Sequence, residues 1–80
     1  MATQEIVSPL PGTFFRRPAP DKPTYKEEGD RIAPGDVVGL VEVMKTFYEV
    51  KSDSAGRIVK FLVENDGPVQ AGQALVVLDV

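Results

Sequence analysis

Residues 37–50 read Val-Val-Gly-Leu-Val-Glu-Val-Met-Lys-Thr-Phe-Tyr-Glu-Val, a run of fourteen dominated by β-branched and aromatic side chains. Such side chains suit a pleated, half-buried surface. A strand averages about 5–6 residues, and a chain of 80 residues cannot build sheets fourteen residues deep, so the run has to fold back on itself. Between Gly39 and Ser52 there is no Gly, Pro, Asn or Asp to mark the reversal. The middle of the run is Glu42-Val43-Met44-Lys45-Thr46-Phe47, and a two-residue turn at Met44-Lys45 divides it into two strands of similar length. Val37, Val41, Met44 and Tyr48 also fit one stripe of a helix, but the β-branched content and Gly39 weigh against helix.

That turn is chemically unusual. Two-residue hairpins use types I′ or II′, which need positive φ and favour Asn-Gly or Gly-X. Met-Lys lacks that preference, at a cost of about 1–2 kcal/mol per left-handed residue. A locally unfavourable turn that is kept points to side chains needed at that place. It also sets Lys45 at an exposed tip, a context that Lys22, Lys26, Lys51 and Lys60 lack.

The rest of the chain alternates short apolar runs with Gly and Pro, the pattern of an all-β sandwich or barrel. Strands are expected near residues 5–8, 12–16, 30–33, 37–43, 46–51, 56–63, 68–70 and 74–79. The chain also repeats. With Gly35 set on Gly72, Ile32 falls on Val69, Val38 on Leu75, Leu40 on Val77, Glu42 on Asp79 and Val43 on Val80. Upstream, Gly12-Thr-Phe-Phe matches Gly56-Arg-Ile-Val. Gly12 and Gly35 are 23 residues apart and Gly56 and Gly72 are 16 apart, so the first half carries an insertion of about seven. The proline-rich Arg17–Pro23 stretch has no counterpart and is its expected place. Two β units related by a pseudo-twofold follow, each covering the apolar face of the other.

Composition excludes much. With no His and no Cys, nucleophilic triads, imidazole or thiolate metal sites and disulfides are all impossible. Nine basic residues stand against twelve acidic, a net charge of −3, with no basic half or stripe. A nucleic-acid partner is therefore not expected. Arg16-Arg17, an adjacent basic pair beside prolines, reads as a solvated loop. The N-terminus has no basic, apolar leader, and no apolar run approaches the ~18–20 residues that span a bilayer. A cytoplasmic protein without membrane contact is the expectation.

Glu42-Val43-Met44-Lys45, midway between two β repeats, resembles the biotin attachment motif Glu-Ala-Met-Lys of biotin carboxyl carrier domains. The resemblance covers nearly the whole chain. Ser8–Asp21 is similar to the first strand and thumb loop of the acetyl-CoA carboxylase type of carrier, with the thumb at about residues 17–25 and the attachment hairpin at about 42–47. Gly35-Asp36, Gly56 and the closing Val69–Leu78 segment also match. The insertion inferred from repeat spacing falls where that family has its thumb. The resemblance implies one biotinyl domain over residues 1–80, a flattened β-barrel or sandwich of two four-stranded antiparallel sheets with pseudo-twofold symmetry.

It also implies a function. Lys45 would be acylated by a biotin protein ligase, its amine attacking biotinyl-AMP to form an amide. That step removes one positive charge and takes the chain from −3 to −4. Met44, with Glu42 and Val43, would carry ligase recognition. Related lipoyl domains typically place Asp before the modified lysine, so Met44 points to biotin. Val43 stands where the family usually has Ala, and Thr46 where it often has Met. Arg17, on the thumb, is a candidate contact for the ureido ring. The implied protein is no enzyme itself. It shuttles carboxybiotin between a biotin carboxylase and a carboxyltransferase, in acetyl-CoA carboxylase or a related carboxylase. Familiar bacterial carriers of this class have a further N-terminal region and linker, whereas seven residues precede Ser8 here, so the expectation is a free-standing carrier or an excised domain. A lipoyl carrier and an unmodified interaction domain are the alternatives.

Overall fold

The computed structural model describes residues 2–80. Eight strands form: β1 (Thr3–Val7), β2 (Gly12–Phe15), β3 (Arg31–Ile32), β4 (Val37–Val43), β5 (Thr46–Lys51), β6 (Gly56–Phe61), β7 (Gly67–Val69) and β8 (Ala74–Asp79). Each overlaps an expected strand. Residues 37–43 and 46–51 are strands joined by a two-residue turn, so the helical stripe through Val37 and Tyr48 is not used. β6 stops at Phe61, short of the expected Val63, because Leu62 and Val63 bend away towards a turn where Asp66 takes φ 68°.

The strands assemble into two four-stranded antiparallel sheets, ordered β1-β8-β6-β3 and β5-β4-β2-β7. They face each other as a sandwich. Among the described residues no strand pairing joins the two sheets, so they do not close into a continuous barrel. Alternation decides what lies between them. Phe14, Val38, Val41 and Val50 from one sheet meet Ile6, Ile58, Val76 and Leu78 from the other, all buried. Burying side chains of this size stabilises the fold by about 1.5–3 kcal/mol each.

The pseudo-twofold is visible in the hydrogen bonds. In the first half Gly35 N–H donates to Ser52 O (2.7 Å) and Ser52 N–H to Asp36 O (2.9 Å); in the second, Gly72 N–H donates to Ser8 O (2.8 Å) and Ser8 N–H to Gln73 O (2.9 Å). Asp36 Oδ2 accepts from Ala33 N–H and Gln73 Oε1 from Gln70 N–H, both at 2.9 Å. The two turns need the left-handed backbone, φ 91° at Gly35 and 81° at Gly72, which glycine adopts without a Cβ penalty. The Ala-Pro-Gly-Asp and Gln-Ala-Gly-Gln segments are thus one structural device used twice.

Candidate functional site

β4 and β5 pair from Val37↔Lys51 to Val43↔Thr46, leaving Met44 and Lys45 as the two turn residues. Their φ values are 51° and 67°, so both lie in the left-handed region, as a type I′ turn requires. Neither residue is one that favours this backbone, and the strong β4–β5 ladder imposes it. The result is presentation. Met44 is 93 % exposed and Lys45 is exposed too.

Lys45 takes no part in the ion pairs found among the described residues, which join Arg16 to Glu27, Lys26 to Asp36 and Lys51 to Glu49. Glu42 and Val43 lie at the root instead. Glu42 pairs across to Thr13 and Phe47, and Val43 packs against the core. The four motif residues therefore split into two that anchor and two that project.

Beside the hairpin lies the thumb. The loop closes on itself where Tyr25 N–H donates to Arg16 O (2.9 Å), and Lys22 N–H donates to Ala19 O (3.0 Å) within it. Its root is Arg16, which is not solvated as its sequence context suggests. The Arg16 guanidinium lies over the Phe61 ring, 4.0 Å from its centroid, and pairs with Glu27 Oε2 at 3.2 Å. Arg16 N–H donates to Asn65 Oδ1 at 2.8 Å. These partners lie 11, 45 and 49 residues away in the chain, so no local pattern announces them. Thr24 Oγ1 also donates to Glu27 Oε1. Burial, with the nearby charge of Glu49 in support, pushes the Tyr25 phenol above its ordinary value.

Between thumb and hairpin is a cleft of about 440 Å³ walled by Phe15, Phe47, Pro18, Pro20, Arg17 and Asp66. Phe15 and Phe47 lean on one another with ring centroids 6.2 Å apart and planes at 54°. Phe47 stays 55 % exposed. It is two residues past Lys45, about 6–7 Å along an extended chain, so an arm on Lys45 reaches this wall easily. Arg17 lines the cleft and its Nε is buried without a partner. The two phenylalanines are functional candidates that the sequence reading missed. Their strand positions look like ordinary core, and only the pairing of β2 with β4 and of β4 with β5 shows that they meet at the surface.

A tip lysine on a left-handed turn between two repeats is matched over residues 4–78 by the biotin/lipoyl family, described as biotin-requiring enzyme. The chain belongs to this family. Curated relatives in sequence include biotin carboxyl carrier proteins of acetyl-CoA carboxylase. That of Nostoc sp. is 42 % identical over 71 residues, covering 89 % of this chain and 39 % of the relative. That of Chlamydia muridarum is 46 % identical over 70 residues, covering 88 % and 43 %. A chloroplastic relative from Arabidopsis thaliana is 38 % identical over 73 residues, covering 91 % and 26 %. The chain thus spans about two-fifths of the first two relatives and a quarter of the third.

Among solved structures, the urea carboxylase of Kluyveromyces lactis superposes with a TM-score of 0.79 at 28 % identity, covering 99 % of this chain and 6 % of that one. A single-chain long-chain acyl-CoA carboxylase superposes at 0.77 and 24 % identity over 94 % of this chain and 7 % of that one, a likeness of fold. The biotin/lipoyl fold and its hairpin thus account for nearly all of this chain. No helix is long and apolar enough to cross a membrane among the described residues.

Proposed function

We propose that this chain is a biotin carboxyl carrier domain whose Lys45 takes biotin in amide linkage from a biotin protein ligase. One observation carries the reading: the two-residue turn that forces Met44 and Lys45 to positive φ and projects both into solvent. An amine with no ion partner among the described residues, at the tip of a two-residue turn, fits entry into another protein's active site. Met44, exposed and adjacent, supplies the side chain a ligase reads, while Glu42 and Val43 fix the turn beneath it.

The residues present fit the group. The cleft beside the hairpin has aromatic and proline walls for a flat apolar ring system and Arg17 as a donor for its polar edge. When bound, biotin supplies a ring nitrogen that accepts and gives up a carboxyl group. The chain's own part is to hold the arm, lend it a resting wall in Phe15 and Phe47, and present it to partners. It supplies no acid, base or nucleophile for the chemistry. Catalysis then belongs to a biotin carboxylase and a carboxyltransferase, of the acetyl-CoA carboxylase type by the resemblance of its relatives and in the cytoplasm where such bacterial carriers work.

Intact mass spectrometry after co-expression with a biotin ligase tests this. The expected result is one biotin added with loss of water, and none on Lys45→Arg. Equal labelling of that variant overturns the assignment. A mass gain with a lipoate ligase and none with the biotin ligase assigns a lipoyl carrier instead, and no gain with either leaves an interaction-only domain.

A further inference from the structure

Arg16 and Phe61 are mates under the pseudo-twofold. In the first half Gly29 N–H donates to Ile58 O, and in the second Asp66 N–H donates to Phe14 O, both at 2.7 Å. Just beyond these bonds Phe61 N–H donates to Glu28 Oε2 (3.1 Å) and Arg16 N–H to Asn65 Oδ1 (2.8 Å). The bulge between Ile58 and Lys60 supplies the extra residue that makes Phe61, and not Lys60, the mate of Arg16. The two mates also stack on each other, with the guanidinium 4.0 Å from the ring centroid.

The pair is unequal. Phe61 packs against the core, whereas the Arg16 side chain is 24 % exposed and its Nε is buried without a partner. Burying a donor unpaired is costly, and the second half makes the same crossing with an apolar ring. The sandwich itself therefore does not call for arginine here. What the first half has and the second lacks is the thumb. Arg16 Nη2 spends its bonds on the thumb's descending leg, donating to Lys26 O (3.4 Å) and Glu27 Oε2 (3.2 Å).

Little else holds the thumb. Among the described residues, residues 17–24 make two hydrogen bonds: Lys22 N–H to Ala19 O inside the loop, and Thr24 Oγ1 to Glu27 Oε1, on the carboxylate that Arg16 grips. Neither reaches a strand. The legs therefore set where the thumb lies, and Arg16 ties both. Its carbonyl oxygen accepts from Tyr25 N–H, and its guanidinium joins the descending leg to the end of β6. Arg16 is not a wall of the thumb cleft, but its neighbours Phe15 and Arg17 and its partner Asn65 are.

We propose that Arg16 is the positioning residue of the thumb cleft: it clamps the thumb between β2 and β6 so that Arg17 and the prolines face Phe15 and Phe47, and so keeps the ring carried by Lys45 docked. The proposal rests on the reading of Lys45 as the biotin-bearing lysine, and adds a residue that holds the ring without touching it. A group on Lys45 stays in the cleft only while the thumb is closed. The docked share of the arm therefore follows the closed share of the thumb, and releasing the Arg16 clamp returns the ring to solvent.

NMR of the ¹⁵N-labelled full chain, unmodified and biotinylated, tests the role. In the unmodified chain Arg16→Gln is expected to speed amide exchange at Lys22 and Tyr25 by about tenfold, and in the core strands β4 and β8 by less. Arg16→Lys, which keeps a cation over Phe61 and loses the fork, and Glu27→Gln, which keeps an acceptor for Thr24, are expected to fall between. In the parent, biotinylation is expected to shift the Arg17 and Ala19 amides as well as those beside Lys45. In Arg16→Gln the shifts at Arg17 and Ala19 should fall by about half or more, while those at Val43 and Thr46 persist. The same spectra report that each variant is folded. Loop exchange as slow as the parent's, core exchange rising as much as the loop's, or undiminished shifts at Arg17 and Ala19 in Arg16→Gln overturns the proposal, as does a parent in which biotin shifts neither amide. A parent that gains no biotin mass is the different failure, of the carrier reading itself, and removes this role with it.

Discussion

Ser8 and Ser52 are buried at matching places in the two halves, and each donates its hydroxyl to the carbonyl oxygen two residues ahead, Leu10 O and Ser54 O, at 2.6 Å. They sit where the outgoing strands β1 and β5 turn away from the core, and each also exchanges backbone bonds with the glycine turn of the opposite half. The two serines are thus equivalent positions that the pseudo-twofold exchanges. They differ in one respect: Ser52 Oγ also accepts from Ser54 N–H at 3.2 Å, and no such bond forms at Ser8.

The serine difference sets a first expectation. Ser8→Ala removes one hydroxyl bond and should cost about 0.5–1.5 kcal/mol. Ser52→Ala leaves the Ser54 N–H without its acceptor as well, and should cost more. Urea unfolding of both variants measures this. Equal losses would mean that the extra bond adds nothing.

Gly12 makes a second case. A Cβ on it would collide with the carbonyl oxygen of Glu42, and at the repeat counterpart Gly56 it would lie 2.7 Å from Asp79 O. The collisions are with backbone in the adjoining strand, which cannot step aside. Gly12→Ala and Gly56→Ala should each destabilise by about 1–3 kcal/mol. Gly12→Ala should in addition slow biotinylation, because Glu42 roots the hairpin that bears Lys45. Gly56→Ala should leave the labelling rate unchanged.

How much of this was legible in the sequence follows from the range of each signal. Strand positions and the hairpin tip were readable, because alternation and the absence of turn formers act within a few residues. The repeat was readable because Gly35 and Gly72 answer to the same backbone demand. The bulges at Val37/Gly39 and Ile58/Lys60 were not. Each is a register slip that depends on the partner strand. The second leaves Lys60 exposed on β6, where simple alternation from buried Ile58 would turn it inward. Arg16 was misread for the same reason: its surroundings are made by Phe61, Glu27 and Asn65, all distant in sequence.

At the turn, stability and function should oppose each other. Lys45→Gly puts a residue at φ 67° that accepts it freely and should raise stability by about 1–2 kcal/mol while abolishing biotin addition. Met44→Asp retains the turn and should weaken biotinylation, since only the projecting side chain changes. Thermal unfolding and intact mass on the same samples read both quantities. A Lys45→Gly chain less stable than the parent would show that the lysine, and not the ladder, holds the turn.

Tyr25 gives a pH dependence. Its phenol is held above the ordinary value of 10.0 in the folded chain by burial, with Glu49 adding to the effect. The folded state therefore holds the Tyr25 proton more tightly than the unfolded chain does. Its contribution is fully present below pH 10.0 and is lost as pH rises through the higher folded value. Stability should thus fall on the alkaline side, and hydrogen exchange in residues 17–24 should quicken there, because Tyr25 N–H closes the thumb onto Arg16. Tyr25→Phe keeps the ring and the backbone bond but has no proton to lose, so its thumb should show no such alkaline loosening beyond the intrinsic rise in exchange. An identical alkaline response in both proteins would place the titrating group elsewhere.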